Sequence, residues 1–396
     1  MEYAVWCRPN QLEMIMKHLS VIFAMAALTL SSCSPKVSTT IVEGSETGFS
    51  LDFFQKAIQR ADKDENMTVS PYSAGVALSM LAGGAEGSTL EELDRALNHC
   101  RFINDDLGSN DSVTICSANA LWANKLYPPK KTYVDALKKD FDALSQALDF
   151  SSPSALDAIN SWCSEHTNGR IPKALDELDA NMVAVLSNAL YFKGLWHYPF
   201  NPELTRKDAF KGSKKTSDVD FMELKQKLQY ADIQGNQIVR LPYTSGRYAM
   251  TILLPDASVD ADNFIKYISE ENFNELLSSM IEQEVVVRIP KFKVENTLRL
   301  NSVLQDMGVN KVFTRSAELG GMTDADVMVS DVNQKTFVEI NEQGAEAAAV
   351  TTIAVRLTAA RPMEQTFYMT VDRPFYYMIS DIDNGRILFI GRIMNL

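Results

Sequence analysis

The chain has 396 residues, 46% of them hydrophobic and 22% charged, and carries a formal charge of −13. That length and apolar content are enough for one large core or two fused layers, and they exclude a disordered or multi-span membrane chain. The negative field argues against nucleic acid as a partner; the longest basic cluster, Lys211 to Lys215, is broken by Gly212 and Ser213 and reads as a solvated loop.

In chain order the first feature is a targeting segment. From Met16 the sequence runs Lys17, His18, an apolar stretch from Leu19 to Leu30, then Ser31, Ser32 and Cys33. These are the charged, apolar and small-residue regions of a signal peptide, with an apolar run too short to cross a bilayer as a helix. Residues 1 to 15 precede that signal and fit an upstream start site. Leu30-Ser31-Ser32-Cys33 resembles a bacterial lipobox, which implies that residues 1–32 are removed and that Cys33 becomes the acylated first residue. A membrane-anchored, extracytoplasmic protein, periplasmic or on the cell surface, is the expectation; cleavage and simple secretion is the alternative. More than one acyl chain would hold the protein stably, at about 0.8 kcal/mol per buried methylene. The following polar residues, to Gly48, read as a tether in the span 33–48.

The folded domain is expected over 49–396. Phe49, Phe53, Phe54, Ala57 and Ile58 recur at helical spacing. Asn66 to Ser70 reads as a short strand entering a helix that Pro71 initiates and Gly83 and Gly84 end. Ser88 with Glu91 has the spacing of a capping box. Helices are expected at 132–148 and 154–167, with weak alternation at 113–123 between. From Val183 the texture becomes strand-rich, in runs at 185–192, 238–242, 248–254, 285–289 and 336–340, interrupted by helical patterns at 262–280 and 297–307. The class is α+β, without an internal repeat.

Catalytic chemistry has little to stand on. The four histidines, His18, His99, His166 and His197, are not in HExxH spacing, and GxSxG, GxxxxGK[ST] and CxxC are absent. A scattered triad is recognised by geometry and not by order, so a lipid-anchored hydrolase stays as the different-class rival, beside an adhesin. Beyond Cys7 and Cys33 only Cys100, Cys116 and Cys163 remain, with no metal-like spacing; free buried thiols are expected, without metal or cofactor.

The most informative segment begins at Thr336. After Phe337-Val338-Glu339-Ile340 the chain reads Asn341-Glu342-Gln343-Gly344-Ala345-Glu346-Ala347-Ala348-Ala349-Val350 and on to Leu357. Odd positions from 345 to 357 are uncharged, whereas Glu346 and Arg356 both fall on the even face, the pattern of a strand with one buried and one wetted side. Taken alone, it fits an ordinary strand or, through its alanines, a helix.

Glu342 to Ala349 resembles the hinge of an inhibitory serpin's reactive loop, and other blocks resemble that family in its order: Asn66 to Leu93 with Ser70-Pro71-Tyr72-Ser73, Ser187 to Trp196, Ile289-Pro290-Lys291-Phe292, and Arg373-Pro374-Phe375 to Arg392. The resemblance implies three β-sheets with about nine helices and an exposed reactive-centre loop. It further implies a protein that is not an enzyme. By that resemblance it would inhibit serine, and also cysteine, endopeptidases: the loop would be cleaved as a substrate, the acyl-enzyme trapped, and the loop inserted into the main sheet, a switch for which this family is itself the standard example. The implied partner is the target protease, in a covalent complex with a monomeric inhibitor. Counting Gly344 as first, the fifteenth residue is Thr358, so Thr358-Ala359 is the expected bait bond, with Arg356, Leu357 and Arg361 competing. Asn66, Ser70, Ser73, Asn188 and Gln334 fall on the family's shutter, and Trp196 and Lys291, with Glu342, on its breach. Two departures stand out: Ala345 where Thr or Ser is common, and Gln334 where many members carry a His, which leaves hydrogen bonds to Asn188 or Ser73 but no pH-dependent latch. Lys291 and Glu342 are either a pair restraining insertion or two solvated charges. A non-inhibitory binding or chaperone-like member of the family is the runner-up.

Overall fold

A computed structural model describes residues 44–103, 107–108, 112–266, 268–330, 332–345 and 365–396. Cys33 and the signal segment, and in the loop Glu346, Ala347, Ala348, Ala349, Arg356, Leu357, Thr358, Ala359 and Arg361, lie outside the described residues.

The first helix, α1 (Glu46–Arg60), opens ahead of Phe49 because the Ser45 hydroxyl accepts the Gly48 N–H at 3.1 Å and caps it. Its buried face holds Phe49, Phe53, Phe54, Ala57 and Ile58, the residues whose spacing marks it in sequence. β1 (Met67–Val69) leads into α2 (Pro71–Ala82), with proline in the first turn and Ser70 as the cap. At α3 (Gly87–Ala96) the expected capping box does not form. Ser88 instead donates to Glu318 at 2.6 Å, and the same carboxylate accepts the Thr89 N–H at 3.2 Å, so a residue far along the chain satisfies the helix start. The helix expected at 132–148 is α4 (Lys131–Phe141), stopped by the left-handed Asp142, followed by an edge strand, β3 (Leu144–Leu148).

Beside β3 lie β2 (Val113–Asn124) and β4 (Ala184–Gly194), in a three-stranded sheet of order β3-β2-β4. Helix α5 (Pro153–His166) covers its outer face: Ala120 and Trp122 of β2 pack with Ala155, Ile159 and Trp162 in a small second core, while Val113, Ile115 and Leu121 point the other way into the main one. The next strands are β5 (Arg206–Lys211), β6 (Thr216–Ile233), β7 (Asn236–Pro242) and β8 (Tyr248–Leu254). After the short α6 (Ala261–Phe264) and α7 (Glu270–Ser278), which divide the span read as one helix, come β9 (Ile281–Pro290) and β10 (Phe292–Arg299). The helical pattern at 297–307 therefore begins on a strand, and α8 (Asn301–Asp306) occupies only its second part. The chain closes with β11 (Asn333–Ile340), β12 (Thr366–Thr370), β13 (Phe375–Asp381) and β14 (Ile387–Ile393).

Among the described residues there are thus eight α-helices and three sheets. A nine-stranded sheet runs β1-β14-β13-β8-β7-β6-β9-β12 with β5 beside β6, and β10 and β11 form a two-stranded sheet. Every residue of β8, β13 and β14 is buried, as for strands covered on both faces. A buried cation belongs to this centre: Arg392, without exposed surface, is held by Asp262 at 2.6 Å and by the Glu65 and Asp62 carbonyls, so its charge is paired. In the basic cluster of the β5–β6 turn, Lys211 pairs with Asp372, and Lys214 with Asp62 and Asp64.

Candidate functional site: a cleft between two strand edges

β4 gives one edge to β2 along its whole length, and β11 gives one edge to β10 along its whole length. Their other edges face each other. Among the described residues no ladder joins them, and they meet only at their C-terminal ends.

That meeting point is built from the turn after β11. Asn341 and Gly344 exchange main-chain hydrogen bonds, and Ala345, 5% exposed, donates its N–H to the Gly194 carbonyl at 2.8 Å. Gly344 sits at φ +148°, where a Cβ would lie 1.9 Å from the Gly194 oxygen, so glycine is required by both the backbone conformation and the close approach. Trp196, just past β4, stacks on Tyr243 at 4.6 Å, donates its indole N–H to the Asn341 carbonyl at 2.9 Å and its amide to the Gln343 carbonyl at 2.8 Å. Lys291 and Glu342 form an ion pair at 2.6 Å, and the Thr205 hydroxyl donates to the same carboxylate at 2.8 Å. Burial pushes the Glu342 carboxyl up, but the bond from Lys291, its own amide, Thr205 and the lysine's charge together outweigh this and hold it below the usual range.

Farther down, Ser70, Ser73, Asn188 and Gln334 come together. Gln334, 6% exposed, grips the main chain of Ser70: its amide nitrogen donates to the Ser70 carbonyl at 2.8 Å, and its oxygen accepts the Ser70 N–H at 3.0 Å. The expected partners, Asn188 and Ser73, bond each other instead. Asn188 then donates to Asn119 at 2.5 Å, and Asn119 to the Phe141 carbonyl at 2.9 Å. These side chains tie β11, the start of α2, β4, β2 and the end of α4, and none of them titrates near neutrality. Asn66 does not join this group. Its amide oxygen accepts the Met394 and Asn395 N–H groups and its nitrogen donates to the Asn395 carbonyl, fastening β1 to the C-terminal residues.

Between the two unpaired edges is a cleft of about 310 Å³, lined by Ala184 to Asn188 of β4, Asn333 and Lys335 of β11, and Cys163 of α5 among others. The connection from α5 to β4 crosses beside it. Lys335 donates to the Lys173 carbonyl, and Arg170 lies over the Phe337 ring at 5.3 Å. Sequence alone does not single out Arg170 or Lys335, because only the tertiary fold brings the α5–β4 connection beside β11. Cys163 is buried, with its thiol pushed up to about 11 by that burial, while Cys100 and Cys116 are half-buried; all three are free. Among the described residues no group of His, Cys, Asp and Glu is placed to hold a metal ion.

The family profile described as Serpin (serine protease inhibitor) matches residues 44–396. The leukocyte elastase inhibitor of Sus scrofa is 33% identical over 376 residues, covering 89% of this chain and 98% of that protein. Antithrombin-III of Homo sapiens is 31% identical over 373 residues, covering 88% and 80%. In structure the chain is similar to the thermophilic serpin tengpin in its native state, with a TM-score of 0.81 at 27% identity, covering 89% of this chain and 93% of that one.

Proposed function

Since this chain belongs to the serpin family, whose relatives include protease inhibitors, we propose that it inhibits serine endopeptidases, with cysteine endopeptidases as a second target class, by suicide cleavage of its loop at Thr358-Ala359 and insertion of that loop between β4 and β11. The observation that carries this reading is the pair of facing, unladdered edges with Ala345 already bonded to Gly194 at their head. A strand entering there would satisfy two rows of open N–H and C=O groups. Ordering each residue costs about 1–2 kcal/mol, and each ladder bond returns only about 0.5–1.5. Burial of the uncharged odd face, at about 25 cal/mol per Å², has to tip the balance.

In this reading the Lys291–Glu342 pair and the Gln334–Ser70 bonds restrain premature opening, and the protease is carried with the loop after forming its acyl-enzyme. Displacement of its catalytic groups by about 1 Å is enough to slow deacylation about a hundredfold. The protein itself supplies no catalytic group. We place it outside the cytoplasm on a lipid at Cys33; Cys33→Ser is expected to release it from the membrane fraction, and retention there would overturn the anchor.

The direct test incubates the mature protein with elastase-like, subtilisin-like and trypsin-like proteases, followed by denaturing gels and mass spectrometry of the released peptide. A denaturant-stable complex and a peptide beginning at Ala359 are expected. Clean loop cleavage by every protease, with no complex and no gain in thermal stability, would favour the non-inhibitory binding reading.

A further inference from the structure

The two walls of the cleft differ in chemistry. On one side stand Ile171, Leu175 and Met182 of the α5–β4 connection with Val185 of β4; on the other stand Arg299 of β10 and Lys335 of β11. Register explains the second wall: Thr297 pairs with Lys335 and Arg299 with Asn333, so both cations fall on one face of the two-stranded sheet. The first wall is fixed by side chains. Asn160 of α5 accepts the Ala174 and Leu175 N–H groups at 2.7 and 2.9 Å and donates to the Leu175 carbonyl at 3.0 Å. Asn124 of β2 donates to the Ala180 and Met182 carbonyls at 3.0 and 2.9 Å.

Between these walls there is room for a ligand. The volume of about 310 Å³ is at the lower end for small-molecule sites, about 300–1,000 Å³, whereas close-packed interiors leave few voids larger than a water molecule. Leu175, Met182 and Val185 line the cleft and are only half-buried, so apolar surface there lacks cover from the described chain. Charge at the opposite wall is unbalanced. Lys173 takes Asp176 at 3.0 Å, while Lys335 has no carboxylate within ion-pair distance among the described residues and uses one of its three donors on the Lys173 carbonyl. Its charge reaches into the cleft: burial raises the Cys163 thiol and Lys335 opposes this, and after Lys173 it is Lys335 that holds the Asp176 carboxyl down. Glu177, the remaining carboxylate of the lining, is exposed and stays hydrated.

We propose that the cleft binds a small amphiphile with one anionic head, a medium-chain carboxylate. The head pairs with the Lys335 ammonium, beside Arg299, and the chain covers Leu175, Met182 and Val185 and shields the Cys163 thiol. A carboxylate suits this cation because charge-assisted hydrogen bonds are the strong ones. An aliphatic chain suits the other wall because it removes that apolar surface from water. Filling depends on β4 and β11 standing apart, as they do here. A loop entering between them would take the same space, so the ligand stabilises the uninserted state and opposes trapping. The binding rests on the cleft alone; its effect on trapping rests on the inhibitory reading.

The test titrates the mature protein with octanoate by calorimetry, with octanol and octyltrimethylammonium as neutral and cationic probes of the same chain length. Location is read from alkylation of Cys163, followed by mass spectrometry of its peptide. Saturable octanoate binding is expected, with Cys163 alkylation slowed severalfold and a raised thermal midpoint. Affinity should fall about tenfold in Lys335→Gln, the loss of one charge-assisted bond, and as much in Leu175→Glu, which sets a like charge on the apolar wall. The cationic probe should bind about tenfold more weakly than octanoate, with octanol between them, a comparison that stands even if both variants misfold. Octanoate binding without protection of Cys163, equal binding of the cation, or no binding would overturn the site. With a protease that the protein traps, octanoate should raise the inhibitor consumed per protease severalfold. An unchanged ratio with octanoate bound would overturn the coupling and leave the site standing, whereas absence of any complex without octanoate would count against the inhibitory reading alone.

Discussion

Replacing Ala345 by arginine tests the insertion reading at its first step. Ala345 is 5% exposed, and its amide is bonded to Gly194 at the head of the cleft. Further insertion carries this side chain to the inner face between β4 and β11. An unpaired ion there costs several kcal/mol; with part of the guanidinium reaching back to water, about 3 kcal/mol is a working value, roughly a hundredfold in the rate of insertion at 1.4 kcal/mol per tenfold. Deacylation then overtakes trapping, so the protease leaves and the inhibitor is consumed as substrate. The assay is titration of a protease that the wild-type protein traps, with complex and cleaved inhibitor counted on a denaturing gel. Ala345→Arg is expected to raise the moles of inhibitor consumed per mole of protease by tenfold or more, while Glu346→Arg, on the alternate face, stays near wild type. A wild-type ratio for Ala345→Arg, with the variant shown to be folded, would refute the argument.

Gln334→Ala leaves the Ser70 N–H buried without a partner, whereas the Ser70 carbonyl keeps the Ala74 amide at 3.1 Å; a loss of about 1–3 kcal/mol in denaturant unfolding is expected, and a change under about 0.5 kcal/mol would count against the role given to Gln334. Gly344→Ala places a methyl against the Gly194 oxygen and should abolish hydrogen-exchange protection at the Ala345 amide, with a lowered unfolding midpoint. The Glu342 carboxyl is held below its unfolded value, so its stabilisation is fully present above about pH 4.3 and disappears as pH falls through the folded value. The gap in midpoint between wild type and Glu342→Gln should therefore be visible at pH 7 and shrink progressively as the pH is taken below about 4.3; a gap that does not shrink with acidification would point to packing and not charge.

Much of the fold could be read from pattern because its periodicity is local. The apolar positions of α1, the proline at the start of α2 and the continuous apolar run of β8 each carry their own burial signal. Where burial is one-sided or slight, the signal fades. β6 is the longest strand, yet its charged, largely exposed residues hide it. β3 has three exposed positions out of five and forms because the edge of β2 is there to pair with. The start of α3 shows the same limit in reverse: Ser88 and Glu91 have the local spacing of a cap, but Glu318 outcompetes them from across the fold.

The candidate site divides along the same line. The residues of the hinge turn, Trp196, Lys291 and the Ser70, Ser73, Asn188 and Gln334 group are legible one by one through family resemblance, as is the uncharged odd face of the segment after Gly344. Their pairing is not. That Gln334 takes the Ser70 main chain, that Asn66 belongs to the C-terminal residues, and that Lys335 and Arg170 reach between β11 and the α5–β4 connection depend on approach between segments distant in the chain. The sequence by itself determined the family, the main elements and the alternation of the hinge, because these follow from backbone preference and side-chain period. Only the tertiary structure decided that β4 and β11 face each other without a ladder, because hydrogen-bond pairing between strands is set by the packing of the layers beneath them and not by either strand alone.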